Sequence, residues 1–141
     1  MSRYRSQIRE VINRNTVVSL ALEQGFNAYL PVYDGGVDFI LYREEDGTTR
    51  KVQLKGRWMI DKKYVDRDIW MAFPNGEDWY LVPHADLVQQ GDAQGFTRTV
   101  SWVERGAYSC PSLSKALLAA CEPYRFRKIA DVAVDAAQTD E

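Results

Sequence analysis

The stretch GGVDFILYREEDGTTRKVQLKGR, Gly35 to Arg57, constrains this chain more than any other. Its first part, Val37 to Arg43, is apolar on both sides apart from Asp38, the pattern of a covered central strand. Thr49 to Gly56 reads as a second strand, and Asp46-Gly47 between them is a strong two-residue hairpin signal. With those two residues as the turn, Glu45 faces Thr48, Ile40 faces Gln53 and Asp38 faces Lys55. The two-residue period then gathers Asp38, Ile40, Gln53 and Lys55 on one face, and leaves Phe39, Leu41, Val52 and Leu54 on an apolar face for the core. A carboxylate, an amide and an ammonium are thereby clustered, with cross-strand Cβ atoms about 5 Å apart.

On a solvated face such an ion pair would contribute only about 0.2–1 kcal/mol and do no chemistry. In a covered strand, however, an acid is costly unless it is paired or bound to a cation. A carboxylate and a neutral amide oxygen can together hold Mg²⁺ or Mn²⁺, hard ions that take oxygen ligands. A neighbouring lysine can then position a water and offset charge developing on a phosphate.

Around this hairpin, Ile8, Val11, Ile12, Val18 and Leu22 recur at helical spacing, which predicts a helix over residues 6–24 stopped by Gly25. Strands are predicted over 27–33, 37–43 and 49–56, an αβββ opening. A second hairpin follows over 68–73 and 78–82, then a short helix over 85–89. The sheet is expected to have five strands. Residues 91–109 give little beyond a strand around 99–103. A last helix is predicted from an N-cap at Ser112 to a stop before Pro123. The fold class this implies is α/β, a central mixed sheet flanked by helices.

The 141 residues suit one domain, taken as 1–130, followed by an acidic, frayed tail over 131–141 carrying Asp131, Asp135, Asp140 and Glu141. Eighteen basic against twenty acidic residues leave no global positive field, so any nucleic acid must be met by a local patch. No uncharged apolar run approaches the roughly 18 residues of a membrane helix, and the N-terminus lacks the apolar region of a secretory signal. A soluble, cytoplasmic protein is expected. Two cysteines and one histidine are too few for a disulfide framework or a zinc site, and Cys110 and Cys121 are read as buried thiols.

The N-terminal helix, EQGFNAYLPVYDGGVDFILY and KVQLKGR together resemble the PD-(D/E)XK nuclease superfamily, in the branch where glutamine takes the second acidic position to give Q-x-K. The resemblance covers about the first 57 residues and continues loosely into DIWMAFPNGEDWYLVPHADLV. It implies a restriction-endonuclease-like core and a metal-dependent endonuclease acting on DNA. Asp38, Gln53 and the Leu54 carbonyl would hold Mg²⁺ or Mn²⁺, and Lys55 would be the catalytic lysine. A homodimer or larger homo-oligomer is expected for duplex cleavage. The sequence departs from the family pattern in having Val37 where proline is common and Gln53 where an acid is usual. The helical glutamate is also displaced: Glu10 and Glu23 are thirteen positions apart, about 220° around a helix, so one site cannot use both. Glu10 is preferred.

Between Lys51 and Arg67 six cations stand against two aspartates. Arg57, Trp58, Lys62, Lys63 and Arg67 are therefore candidate nucleic-acid contacts on a loop, the tryptophan as a stacking surface. Arg125, Arg127 and Lys128 form a second basic cluster. His84 is read as structural, and Trp70, Trp79 and Trp102 as core or subunit contacts. The alternative function is a catalytically weak or inactive binding or interaction module on the same fold.

Overall fold

A computed structural model of the chain describes residues 3–128. The first helix, α1 (Arg3–Glu23), is followed by β1 (Phe26–Tyr29), β2 (Phe39–Arg43) and β3 (Thr49–Leu54), the expected αβββ order. Next come β4 (Trp58–Asp61), a 3₁₀ turn (Lys62–Tyr64), β5 (Trp70–Asn75) and β6 (Asp78–Pro83). The chain closes with α2 (His84–Ala93), α3 (Val100–Arg105), β7 (Ala107–Cys110) and α4 (Lys115–Cys121).

Five strands form one sheet in the order β1-β2-β3-β5-β6. The β3–β5 pair is parallel and the others antiparallel, so the sheet is mixed. Parallel neighbours cannot be joined by a tight turn, and the crossover between them carries β4 and the 3₁₀ turn. β4 pairs with β7 in a separate two-stranded antiparallel sheet.

Alternation along the strands feeds two cores. Phe39, Leu41, Val52, Ala72 and Leu81 pack with Val17 and Ala21 of α1. On the opposite side Met71, Phe73, Tyr80 and Val82 meet Trp58, Ile60, Leu87, Trp102 and Leu117, from β4, α2, α3 and α4. Each large aliphatic buried this way contributes about 1.5–3 kcal/mol. The architecture is thus α/β with a central mixed sheet flanked by helices.

Several elements differ from their sequence reading. Residues 99–103 form no strand: the Thr99 hydroxyl accepts the Trp102 N–H and caps α3. The segment after β3 is not a loop, because β4 pairs with β7, two strands too short to carry a clear alternation. On α1 the buried residues are Val17 and Ala21, while Ile8, Val11, Ile12 and Leu22 are exposed. The periodicity there was helical, but only the C-terminal half of α1 packs on the sheet. α4 is capped by Ser114, whose hydroxyl accepts the Leu117 N–H, rather than by Ser112.

Other readings stand. Cys110 and Cys121 are buried and free, and burial pushes the Cys121 thiol up to about 11. His84 is buried, and its Nε2 accepts the Asp61 N–H at 3.1 Å. Among the described residues no helix is long and apolar enough to cross a membrane. The tail over 131–141 lies outside the described residues.

Candidate active site

The β2–β3 hairpin does not turn at two residues. Arg43 and Thr48 close the ladder and Glu44 to Gly47 form a four-residue loop, with Gly47 in the left-handed region at φ 71°. Asp46 is the reason: its carboxylate accepts the Thr48 N–H at 3.0 Å and pairs with Arg43 at 3.1 Å. The observed register, Phe39 opposite Val52 and Ile40 opposite Lys51, is displaced by two residues from the two-residue-turn expectation. Two is the strand period, so every side chain keeps its face. What changes is the partner. The ladder ends at Phe39–Val52, and Asp38, just outside it, bonds to Val52 and Leu54 rather than facing Lys55.

At Asp38 the ladder gives way to a side-chain bond. Its N–H donates to the Val52 carbonyl at 2.8 Å, and its Oδ2 accepts the Leu54 N–H at 2.7 Å. That bond consumes one carboxylate oxygen and fixes the direction of the other. The N–H and C=O of a strand residue point to the same edge, so the Leu54 carbonyl turns toward the Asp38 side as well. Gln53 Oε1 is buried and has no hydrogen-bond partner among the described residues. Buried acceptors are normally satisfied, and the residue that carries this orphan lines the same pocket as Asp38.

These groups open onto one pocket. Ser6, Arg9, Glu10, Asn13 and Arg14 of α1 line it opposite Asp38, Gln53, Leu54 and Lys55. Their spacing of three and four residues is one polar stripe of the helix, in the half that overhangs the sheet. Asp34, from the loop before β2, lines it too. Burial is the main force raising the Asp38 pKa above its ordinary value; Asp34 and Glu10 add to it, while the Leu54 N–H and Lys55 oppose it. Glu10 thus shares the pocket with Asp38, and Glu23 does not line it.

The donor set suits a hard divalent ion. It comprises a half-buried carboxylate, an orphaned amide oxygen and a main-chain carbonyl, all oxygen. Among the described residues no three His, Cys, Asp or Glu side chains converge closely enough to hold an ion by themselves. Neutral oxygens and water must therefore complete any shell, as Mg²⁺ tolerates.

The candidate nucleic-acid residues divide. Trp58 is 1% exposed, and its indole N–H donates to Gln90 Oε1 at 3.2 Å, so it belongs to the core and has no face free for a base. Arg67 is exposed, but its guanidinium donates to the Gly35 carbonyl at 2.8 Å and holds the loop that leads into Asp38. Lys62 reaches the Val103 carbonyl at 3.2 Å, and Lys63 lies 3.8 Å from Asp61; both remain exposed. Arg57 is exposed and makes no ion pair among the described residues. The C-terminal cluster is engaged, Arg125 with Asp78 and Arg127 with Glu122, each at 2.9 Å.

Three charged pocket residues escaped the sequence reading. Arg9 and Arg14 were legible in principle from the Ser6, Arg9-Glu10, Asn13-Arg14 spacing. Asp34 lies on an irregular loop whose path no periodicity reveals.

No protein-family model and no curated protein matches the chain. Among solved structures it is similar to a bacterial homing endonuclease, I-Ssp6803I, at 15% identity over 92% of each chain, with a TM-score of 0.47.

Proposed function

We propose that the chain is a PD-(D/E)XK-type endonuclease of the Q-x-K branch, hydrolysing phosphodiester bonds in DNA with Mg²⁺ or Mn²⁺. The observation that carries this reading is the orphaned Oε1 of Gln53, a residue that shares a pocket with an Asp38 carboxylate already anchored by the Leu54 N–H. Asp38, Gln53 and the Leu54 carbonyl would hold the ion, with Glu10 completing the shell through water. The ion would supply positive charge to the phosphoryl oxygens and acidify an attacking water. Lys55 positions that water and offsets charge on the phosphate. Arg9 and Arg14, which make no ion pair among the described residues, orient the phosphate from the α1 wall, and Lys62 and Lys63 add cations nearby.

One such site reaches one strand, so duplex cleavage calls for a homodimer or a larger homo-oligomer. Exposed Tyr4, Ile8 and Ile12 on α1, with Leu30, Val32 and Tyr33 in the next loop, are surface that oligomerisation would cover. The setting proposed is the cytoplasm.

The test is incubation of purified protein with plasmid and Mg²⁺ or Mn²⁺. Nicking that chelation abolishes, and that Lys55→Ala removes with the fold intact, is the expected result. Cleavage unchanged by Lys55→Ala would refute the assignment. The neutral residue at position 53 favours a second reading, a DNA-binding module without catalysis. Salt-sensitive binding with no nicking in either metal would select it.

A further inference from the structure

A second groove, of about 430 Å³, is lined by Lys55 but not by Asp38. Lys55 and Gly56 line both cavities, so the two adjoin at these residues. The floor of the second groove is the β4–β7 sheet, where Met59 and Ser109 are direct cross-strand partners. Arg57 stands at the wall and Tyr108 beside it.

The polar lining is one-sided. Among the described residues Lys55 and Arg57 are cations without an ion pair, and the Ser109 hydroxyl has no hydrogen-bond partner. The Ser101 hydroxyl donates to the Ala107 carbonyl. No carboxylate lines the groove. Cations with no carboxylate beside them favour an anion, and Lys55 and Arg57 beside an uncharged Met59 and Ala107 suit a phosphate carrying a sugar. The aromatic side is rigid: Tyr108 stacks on Phe96 with centroids 4.2 Å apart, and Phe96 meets Trp58 edge-on. Its volume lies within the about 300–1,000 Å³ of small-ligand sites, enough for roughly one nucleotide.

We propose that this groove seats the nucleotide next to the scissile phosphate on the cleaved DNA strand, taking its phosphate on Arg57, Lys55 and the Ser109 hydroxyl. The strand then runs from the α1 arginines across Lys55 onto the outer face of β4–β7. The inference rests on the nuclease reading for the word cleaved, and on the groove's own lining for the strand.

The test is binding of a fluorescein-labelled 20-mer DNA, single-stranded and duplex, by the full chain in metal-free buffer over a range of KCl. One phosphate contact accounts for a slope of about 0.9 in log K against log salt for duplex and about 0.7 for a single strand. Arg57→Ala is expected to lower the slope by about that amount at an unchanged melting temperature, and Ser109→Asp to weaken binding further. Lys115→Ala on α4 serves as the control. A wild-type slope in Arg57→Ala and wild-type affinity in Ser109→Asp, while the native chain binds and nicks DNA, would overturn the groove and leave the nuclease reading intact. The expected losses without nicking in Mg²⁺ would support the groove and count against the nuclease. No binding by the native chain at any salt would overturn both.

Discussion

The Asp38 carboxylate takes the Leu54 main-chain N–H at 2.7 Å where a strand carbonyl would otherwise stand. The bond partly offsets the burial of the charge, yet burial still dominates and Asp38 titrates above the ordinary aspartate range. An acid whose pKa is higher folded than unfolded destabilises the fold as it ionises. Its contribution is intact below the unfolded value of 3.8 and is lost as pH rises through the folded one. Without divalent metal, Asp38→Asn is therefore expected to melt higher than the native chain at pH 7, the difference shrinking as pH falls through the raised folded pKa and gone below 3.8. Thermal melts at both pH values check it; a lower melting temperature at pH 7 would show that the carboxylate is not a strained charge.

Gln53 separates metal binding from packing. Replacing it with leucine removes an unsatisfied buried oxygen, so the metal-free fold should lose little or nothing. Replacing it with glutamate puts a second acid into the pocket that Asp38 lines and should lower metal-free stability. Added Mg²⁺ should reverse the order. A ligand at 100 times its Kd adds about 2.7 kcal/mol, so Gln53→Glu should gain most, the native chain less and Gln53→Leu least. Calorimetry with and without Mg²⁺ reads this directly. Equal responses in all three would remove residue 53 from the shell.

How far the sequence carried this site follows from the geometry of strands. Faces were legible because the two-residue period survives any even register error, so Gln53 and Lys55 keep their shared face and line one pocket with Asp38 although the turn was read two residues short. Pairing was not legible, because it depended on Asp46 spending its carboxylate on Thr48 and Arg43, a tertiary choice that Asp-Gly alone does not reveal. The same limit hid β4. Trp58 and Ile60 read as part of a basic loop, and only pairing with β7, some fifty residues away, turns them into core. On α1 the helix was visible but its buried stripe was not, since the apolar residues of its first half overhang the sheet edge.

Arg67 and Gly36 form a clasp behind the site. Gly36 has φ 94°, and a Cβ there would come within 2.8 Å of Arg67 Nη1. Gly36→Ala should therefore cost about 1–2 kcal/mol from the backbone conformation alone, and displace the guanidinium from the Gly35 carbonyl. Arg67→Ala should speed hydrogen exchange over residues 31–38 and depress cleavage, while the salt slope of DNA binding stays at the native value. A slope lower by about one phosphate contact would instead make Arg67 a backbone contact.

Trp58 offers the sharpest test between a stacking surface and a core residue. It is packed against Phe96 at 5.6 Å, and a Cβ on Gly91 would lie 3.2 Å from its ring, so α2 closes over it with no room to spare. Trp58→Ala should cost about 3–5 kcal/mol, and with it much of the fold. Trp58→Phe keeps most of the apolar volume and loses the bond to Gln90, a cost of about 0.5–1.5 kcal/mol. DNA binding by Trp58→Phe should match the native chain below its melting temperature, because a ring sealed inside cannot meet a base. A stable Trp58→Ala variant with weakened DNA binding would place the indole at the interface and contradict the packing of β4 under α2.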